Sequence, residues 1–255
     1  MTPFSRSLKS WRQARRYSQL DLALEADVSS RHISFLETGR ARPSRAMIAR
    51  LGDALHLPMD AHNQLLAHAG FAAHYPGRAW DHVEMAPIRK AIAYTLAAHA
   101  PYPALALDRL WTIIRMNQPA HRLYGMLGMS EGDSLLDLLV SDHLPPLVEN
   151  WPAVAHHAAK RMRTESAAQG GVDALDRVAA TLAQVSAQGD AAEMPVVPTI
   201  LNTGTQRLSL FATIAQFGTP EDITLHELKI ELYFPADDAT DQALRTMAGQ
   251  SDMQR

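Results

Sequence analysis

The groups in this 255-residue chain best suited to chemistry are 12 histidines and 27 carboxylates, and there is no cysteine. The missing thiol excludes cysteine nucleophiles, disulfides and every cysteine-ligated metal or cluster. His62, His68 and His74 recur every six residues, a spacing that scatters them around a helix instead of gathering them for a metal. His156 and His157 are adjacent, so on a helix they point apart. No HExxH zinc motif, no GxxxxGK[ST] phosphate loop and no nucleophile elbow occurs. Solvated or capping histidines are the plain expectation. No catalytic residue, metal ligand or cofactor is expected.

What remains is the chemistry of recognition, and charge locates it. A net charge of −3 argues against a nucleic-acid partner only while it is taken as an average. Residues 1–78 hold 11 Lys and Arg against 6 Asp and Glu, whereas residues 79–255 hold 13 against 21. Such an asymmetry suggests a nucleic-acid-binding unit joined to something else. A solvated basic helix face would look the same by charge alone, so pattern has to decide. At 47% hydrophobic residues, the chain can offset the entropy of ordering a core, and its length suits two compact units or one large one. No apolar run approaches a membrane span, and MTPFSRSLKSWRQARR lacks the apolar core of a signal peptide. A soluble, cytoplasmic protein is expected.

The elements that would position a nucleic-acid site follow from local spacing. Leu8, Trp11, Ala14 and Arg15 have helical spacing, with Lys9, Arg12 and Arg16 on the other faces. Ser18 suits an N-cap with Asp21 as the capping-box acid, and Leu20, Ala23 and Leu24 make the expected buried stripe of the helix that follows. Asp27 and Val28 turn the chain. Ser29 caps a third helix with Ile33 and Leu36, and Phe35 beside them, as its apolar positions. Ser44 caps a fourth that carries Met47, Ile48, Leu51 and Leu55, and a fifth runs from Met59 to His68 before Gly70. Two short helices joined by a tight turn make the helix-turn-helix pattern.

Residues 8–57 accordingly resemble the Cro/C1-type, or Xre, helix-turn-helix family, whose SQ…A…VS…I…LE.G…P pattern is nearly complete here. One departure is Asp27, where glycine is usual, and Asp tolerates the left-handed backbone such a turn needs. The resemblance implies duplex DNA as the partner. It places Ser30, Arg31 and Ser34 as base readers, with the Arg31 fork matched to guanine. It makes Gln19 a phosphate contact and Arg40, Arg42 and Arg45 backbone contacts that set the register. His32 either touches a phosphate or sits on the helix surface. Glu37 is expected to be structural, because DNA would repel an acid not paired internally. AAHYPGR, residues 72–78, reads as a linker, giving domains of 1–76 and 77–255.

The second part mixes periods. A helix is expected around 83–100, then a hairpin of Ala104–Leu107 and Trp111–Met116 about Asp108-Arg109-Leu110, then helices at 117–127, 135–140, 147–162 and 172–185. Leu208, Leu210, Ala212 and Ile214 alternate. After a turn at Gly218-Thr219-Pro220, so do His226, Leu228, Ile230, Leu232 and Phe234, with Glu227, Lys229, Glu231 and Tyr233 on a face expected to meet solvent. Asp237 or Asp238 can cap a closing helix from Thr240 to Met247. The fold class expected is α+β: five helices, then an antiparallel sheet backed by helices.

DRLWTIIRMNQPAHRLYGML, SLLDLLV with LVENWPAVA, and the segment from LSLFATIAQF to LKIELYFPADDAT are similar to the MmyB-like, PAS-like ligand-binding domain found behind Xre-type domains. The likeness covers most of residues 80–245, least at 164–196. It implies a transcription regulator that senses a small hydrophobic ligand, with a fatty acid as the described type. A pocket between sheet and helices would draw on Trp111, Ile113, Leu123, Tyr124, Leu127, Trp151, Leu210, Ala212 and Leu228, each of which could equally be core. An acidic ligand would need a cation, and Arg115 and Arg122 are the candidates. A homodimer is expected, because one helix reads only a half-site. Two rivals remain: a ligand-free oligomerisation or protein-interaction module behind the same DNA-binding domain, and an enzyme tethered to DNA.

Overall fold

The structure is a computed structural model that describes residues 1–186, 196–204, 206–218 and 222–249. Its first helix starts where the chemistry of capping puts it. The Thr2 hydroxyl accepts from the Ser5 N–H, Pro3 takes the first turn, and α1 (Pro3–Ala14) follows. Ser18 and Asp21 form a full capping box at the start of α2 (Gln19–Glu25). Asp27, at φ 50°, makes the left-handed turn, Ser29 caps α3 (Ser30–Thr38) and Ser44 caps α4 (Arg45–Ala54). Met59–His68 is α5, closed at Gly70 with φ 84°. Leu8, Leu22, Ile33, Leu36, Ile48, Leu51 and Leu65 fill one core.

Two expectations on these helices are corrected. Leu20 and Leu24 are 58% and 73% exposed, and Leu22 and Ala23 carry the buried stripe instead. A seven-residue helix with apolar residues at almost every second position leaves its phase to be chosen by its neighbours. Arg12 is also buried, because it has an internal acid to meet.

The remaining elements are α6 (Ala86–Ala98), β1 (Ala104–Leu107), β2 (Ile113–Met116), α7 (Gln118–Met126), α8 (Leu135–Leu139), α9 (Trp151–Ala168), α10 (Asp173–Ser186), β3 (Thr199–Asn202), β4 (Arg207–Ala215), α11 (Ile223–Glu227), β5 (Lys229–Pro235) and α12 (Asp238–Gly249). Their strands form one antiparallel sheet in the order β2-β1-β5-β4-β3. Asp237 caps α12 by accepting from the Thr240 N–H, and hydrogen bonds from the Thr240 hydroxyl and then that N–H hold its carboxyl below the usual range. The α+β class holds as read from the sequence. The short strand β3 had no counterpart in that reading. Residues 223–227 are helical, where continued alternation was expected, because five residues cannot separate the two periods. The turn at Gly218-Thr219-Pro220 lies partly outside the described residues.

The sheet is covered on both faces, and this reverses one expectation. Ile92 and Leu96 of α6 pack with Ala104, Ala106, Leu228 and Ile230 on one face. The opposite face of β5, expected in solvent, is interior at its start: Lys229 is 5% and Glu231 2% exposed. Alternation separates the two faces of a strand but does not say which one a helix will cover.

Candidate functional site

The cap at Ser29 sets the phase of α3, and phase decides what the helix presents. The Ser29 hydroxyl accepts from the His32 N–H, and Val28 N–H donates to the Ala23 carbonyl across the turn. Ile33 and Leu36 then point inward with no exposure, while Ser30 and Arg31 are exposed and His32 and Ser34 half-buried. The Arg31 guanidinium carbon lies 5.2 Å from the centre of the Phe35 ring, a cation–π arrangement on an exposed side chain. Arg40 and Arg42 are exposed on the loop after Gly39, whose φ of 78° ends the helix. Arg45 opens α4, and its Nη2 donates to the Ala73 carbonyl at 3.3 Å.

Beneath this surface lies a buried ionic support. Arg12 Nε and Nη2 donate to the two Glu37 oxygens at 2.6 and 2.9 Å, and Arg12 Nη1 donates to the Tyr17 carbonyl at 2.7 Å. The bond to Glu37 raises the Arg12 pKa further. Gln19 Nε2 donates to Glu37 Oε2 at 2.8 Å, so the pair also orients the amide that opens α2. Glu37 is paired internally, as an acid so near the basic surface must be. Gln19 was singled out from the sequence, but Arg12, which holds its partner, was not.

In the other unit, a cavity of about 280 Å³ lies against the interior face of the sheet. Its walls are mostly leucine and valine from the sheet, α8 and the approach to α9, together with Trp111 and the α7 residues Leu123 and Tyr124. Residues 88–247 match the family model described as the MmyB-like transcription regulator ligand binding domain. The chain belongs to that family. Residues 3–65 match a helix-turn-helix domain model, and no curated protein matches the chain. Its plan is therefore that of a ligand-sensing transcription regulator with an N-terminal helix-turn-helix DNA-binding domain.

Within the MmyB-like domain, Trp111, Leu123, Tyr124, Leu127, Leu210 and Ala212 line the cavity. Ile113 and Trp151 are buried but do not line it, and Leu228 packs on the opposite face of the sheet. Neither candidate cation reaches it. Arg115 is exposed and pairs with Glu131 at 2.6 Å, and Arg122 donates to the Met247 carbonyl. Simple alternation through the expected strand Trp111–Met116 would put Arg115 on one face with Trp111. Trp111 instead lies before β2 with φ 62°, and the β1–β2 register shifts nearby, so alternation cannot be counted through it.

At the cavity's polar end the expected Tyr124 is joined by Arg161, Glu231 and Tyr233, which were not expected there. Arg161 of α9 lies 2.7 Å from Glu231 Oε1, with its guanidinium carbon 4.0 Å from the Trp111 ring centre. Tyr233 donates to Glu231 Oε2 at 2.8 Å, and the Tyr124 and Tyr233 hydroxyls are 2.7 Å apart. Burial, reinforced by the Glu231 charge, pushes both tyrosine hydroxyls well above their ordinary pKa, so both stay protonated. Among the described residues no three His, Asp or Glu groups stand close enough to hold a metal ion, and no helix is long and apolar enough to cross a membrane.

Proposed function

We propose that this chain is a homodimeric regulator that reads a specific duplex DNA sequence with Ser30, Arg31 and Ser34 and answers to a small hydrophobic molecule, of which a fatty acid is one type. Gln19, His32, Arg40, Arg42 and Arg45 would meet the phosphate backbone and set the register. Ligand uptake would repack the helices against the sheet and so alter the spacing of the two recognition helices over a palindrome. The observation that carries this reading is the largely apolar, about 280 Å³ cavity in a ligand-binding domain joined to a helix-turn-helix. A cavity of this kind binds apolar ligands by excluding water from both surfaces. The reading assigns no catalysis to the chain, whose domains 1–76 and 77–255 would divide DNA binding from sensing and pairing.

Native mass spectrometry of freshly purified protein tests this reading. The expected spectrum is a dimer carrying an apolar adduct, and removing the adduct should change affinity for a DNA site selected from random duplexes. An adduct-free dimer whose DNA affinity responds to no hydrophobic compound would point to a ligand-free oligomerisation module.

A further inference from the structure

The polar end of the cavity is already charge-compensated. The Glu231 side chain, 3% exposed, faces Arg161 Nη1 at 2.7 Å, and Tyr233 donates to its other oxygen. His157 of α9 and Tyr124 of α7 complete the titratable groups along that wall, while β1 and β4 place Leu105 and Ile214 opposite Glu231. Burial, with His156 and Lys160 nearby, holds His157 toward its neutral form, so it adds no cation near neutral pH. Lys229, on the same strand as Glu231, holds its ammonium 5.0 Å from the Trp111 ring centre and does not line the cavity.

A charged head group of either sign would therefore arrive beside its own kind. A carboxylate would meet Glu231, and an ammonium would meet Arg161. Where apolar walls displace water, such repulsion is poorly screened, and two carboxylates share one site only when a proton lies between them. A neutral head group that can hydrogen-bond meets the tyrosine hydroxyls and leaves the ion pair intact.

We propose that the cavity selects amphiphiles with an uncharged head group, and that a carboxylic acid is taken up only together with its proton. This rests on the sensor reading above and narrows it to head-group chemistry.

Isothermal titration calorimetry on the full chain, with decan-1-ol and decanoate in two buffers of different ionisation enthalpy, tests the proposal. At pH 7 decan-1-ol should bind roughly tenfold or more tighter than decanoate, and decanoate should take up about one proton from buffer. Moving to pH 6 should strengthen decanoate binding about tenfold, as linkage of one proton requires, and leave decan-1-ol unchanged. In Glu231→Gln, decanoate should overtake decan-1-ol and bind without proton uptake. The wild-type proton count stands even if that variant folds poorly. Decanoate binding as tightly as decan-1-ol at pH 7 without a proton overturns the proposal and leaves the sensor reading intact. Binding of neither probe overturns the sensor reading, and the proposal with it.

Discussion

Arg31 and Glu37 sit on one short helix and do opposite work, because one faces outward and the other is only 3% exposed. Arg31→Ala should cost about 1–3 kcal/mol of DNA binding and relax the preference at one base pair, measured by fluorescence anisotropy on selected sites and their single-base variants. Glu37→Ala should act on folding, since it strands a guanidinium whose side chain is 10% exposed. Removing one partner of a buried pair costs about 3–5 kcal/mol, readable as a lowered urea midpoint. His62, 5% exposed, gives a pH dependence of definite sign. Burial lowers its folded-state pKa below the ordinary 6.5. The unfolded chain then binds the proton more readily, so stability present above about pH 6.5 is lost as pH falls. Urea midpoints at pH 7.5 and 5.5 should diverge more for wild type than for His62→Gln. Arg31 was legible in the sequence because the cap three residues from His32 fixes its phase. The Arg12–Glu37–Gln19 cluster was not, because its members are up to 25 residues apart and meet only in the fold.

At the scale of elements, the recognition helix depends on its cap. Ser29→Ala should lower stability by about 1 kcal/mol and fray the turn that carries Ser30 and Arg31. Ser29→Asp restores a good cap and should recover the stability, yet the added negative charge should keep DNA affinity low. Thermal melts paired with anisotropy separate the two effects. Helix starts were readable because a cap is a bond between residues three apart, as at Ser18, Ser29 and Ser44. Side assignment was less so. The alternation along β5 was right in period and in burying Leu228 and Ile230, but it did not show that the polar face is interior too, with Glu231 and Tyr233 looking into the cavity. On α2 the exposed pair Leu20 and Leu24 likewise shows that short apolar runs name an element before they name its buried face.

For the whole molecule, charge is the property that matters first. With 11 basic residues against 6 acidic ones in residues 1–78 and the reverse bias after them, DNA binding should be strongly electrostatic. Six or so phosphate contacts would cost about 10³ in affinity between 50 and 200 mM salt, so the logarithmic slope of a salt titration counts the contacts. The sequence by itself determined this division of charge, the helix starts after Ser18, Ser29 and Ser44, the α+β class and the family, because each rests on composition or on residues close along the chain. Only the tertiary structure decided that both sheet faces are covered, that Arg161 and not Arg115 or Arg122 stands at the cavity, and that Glu231 already balances it. Those outcomes depend on which helix covers which strand. Residues 161 and 231 become neighbours through packing over long separations, and local spacing carries no record of it.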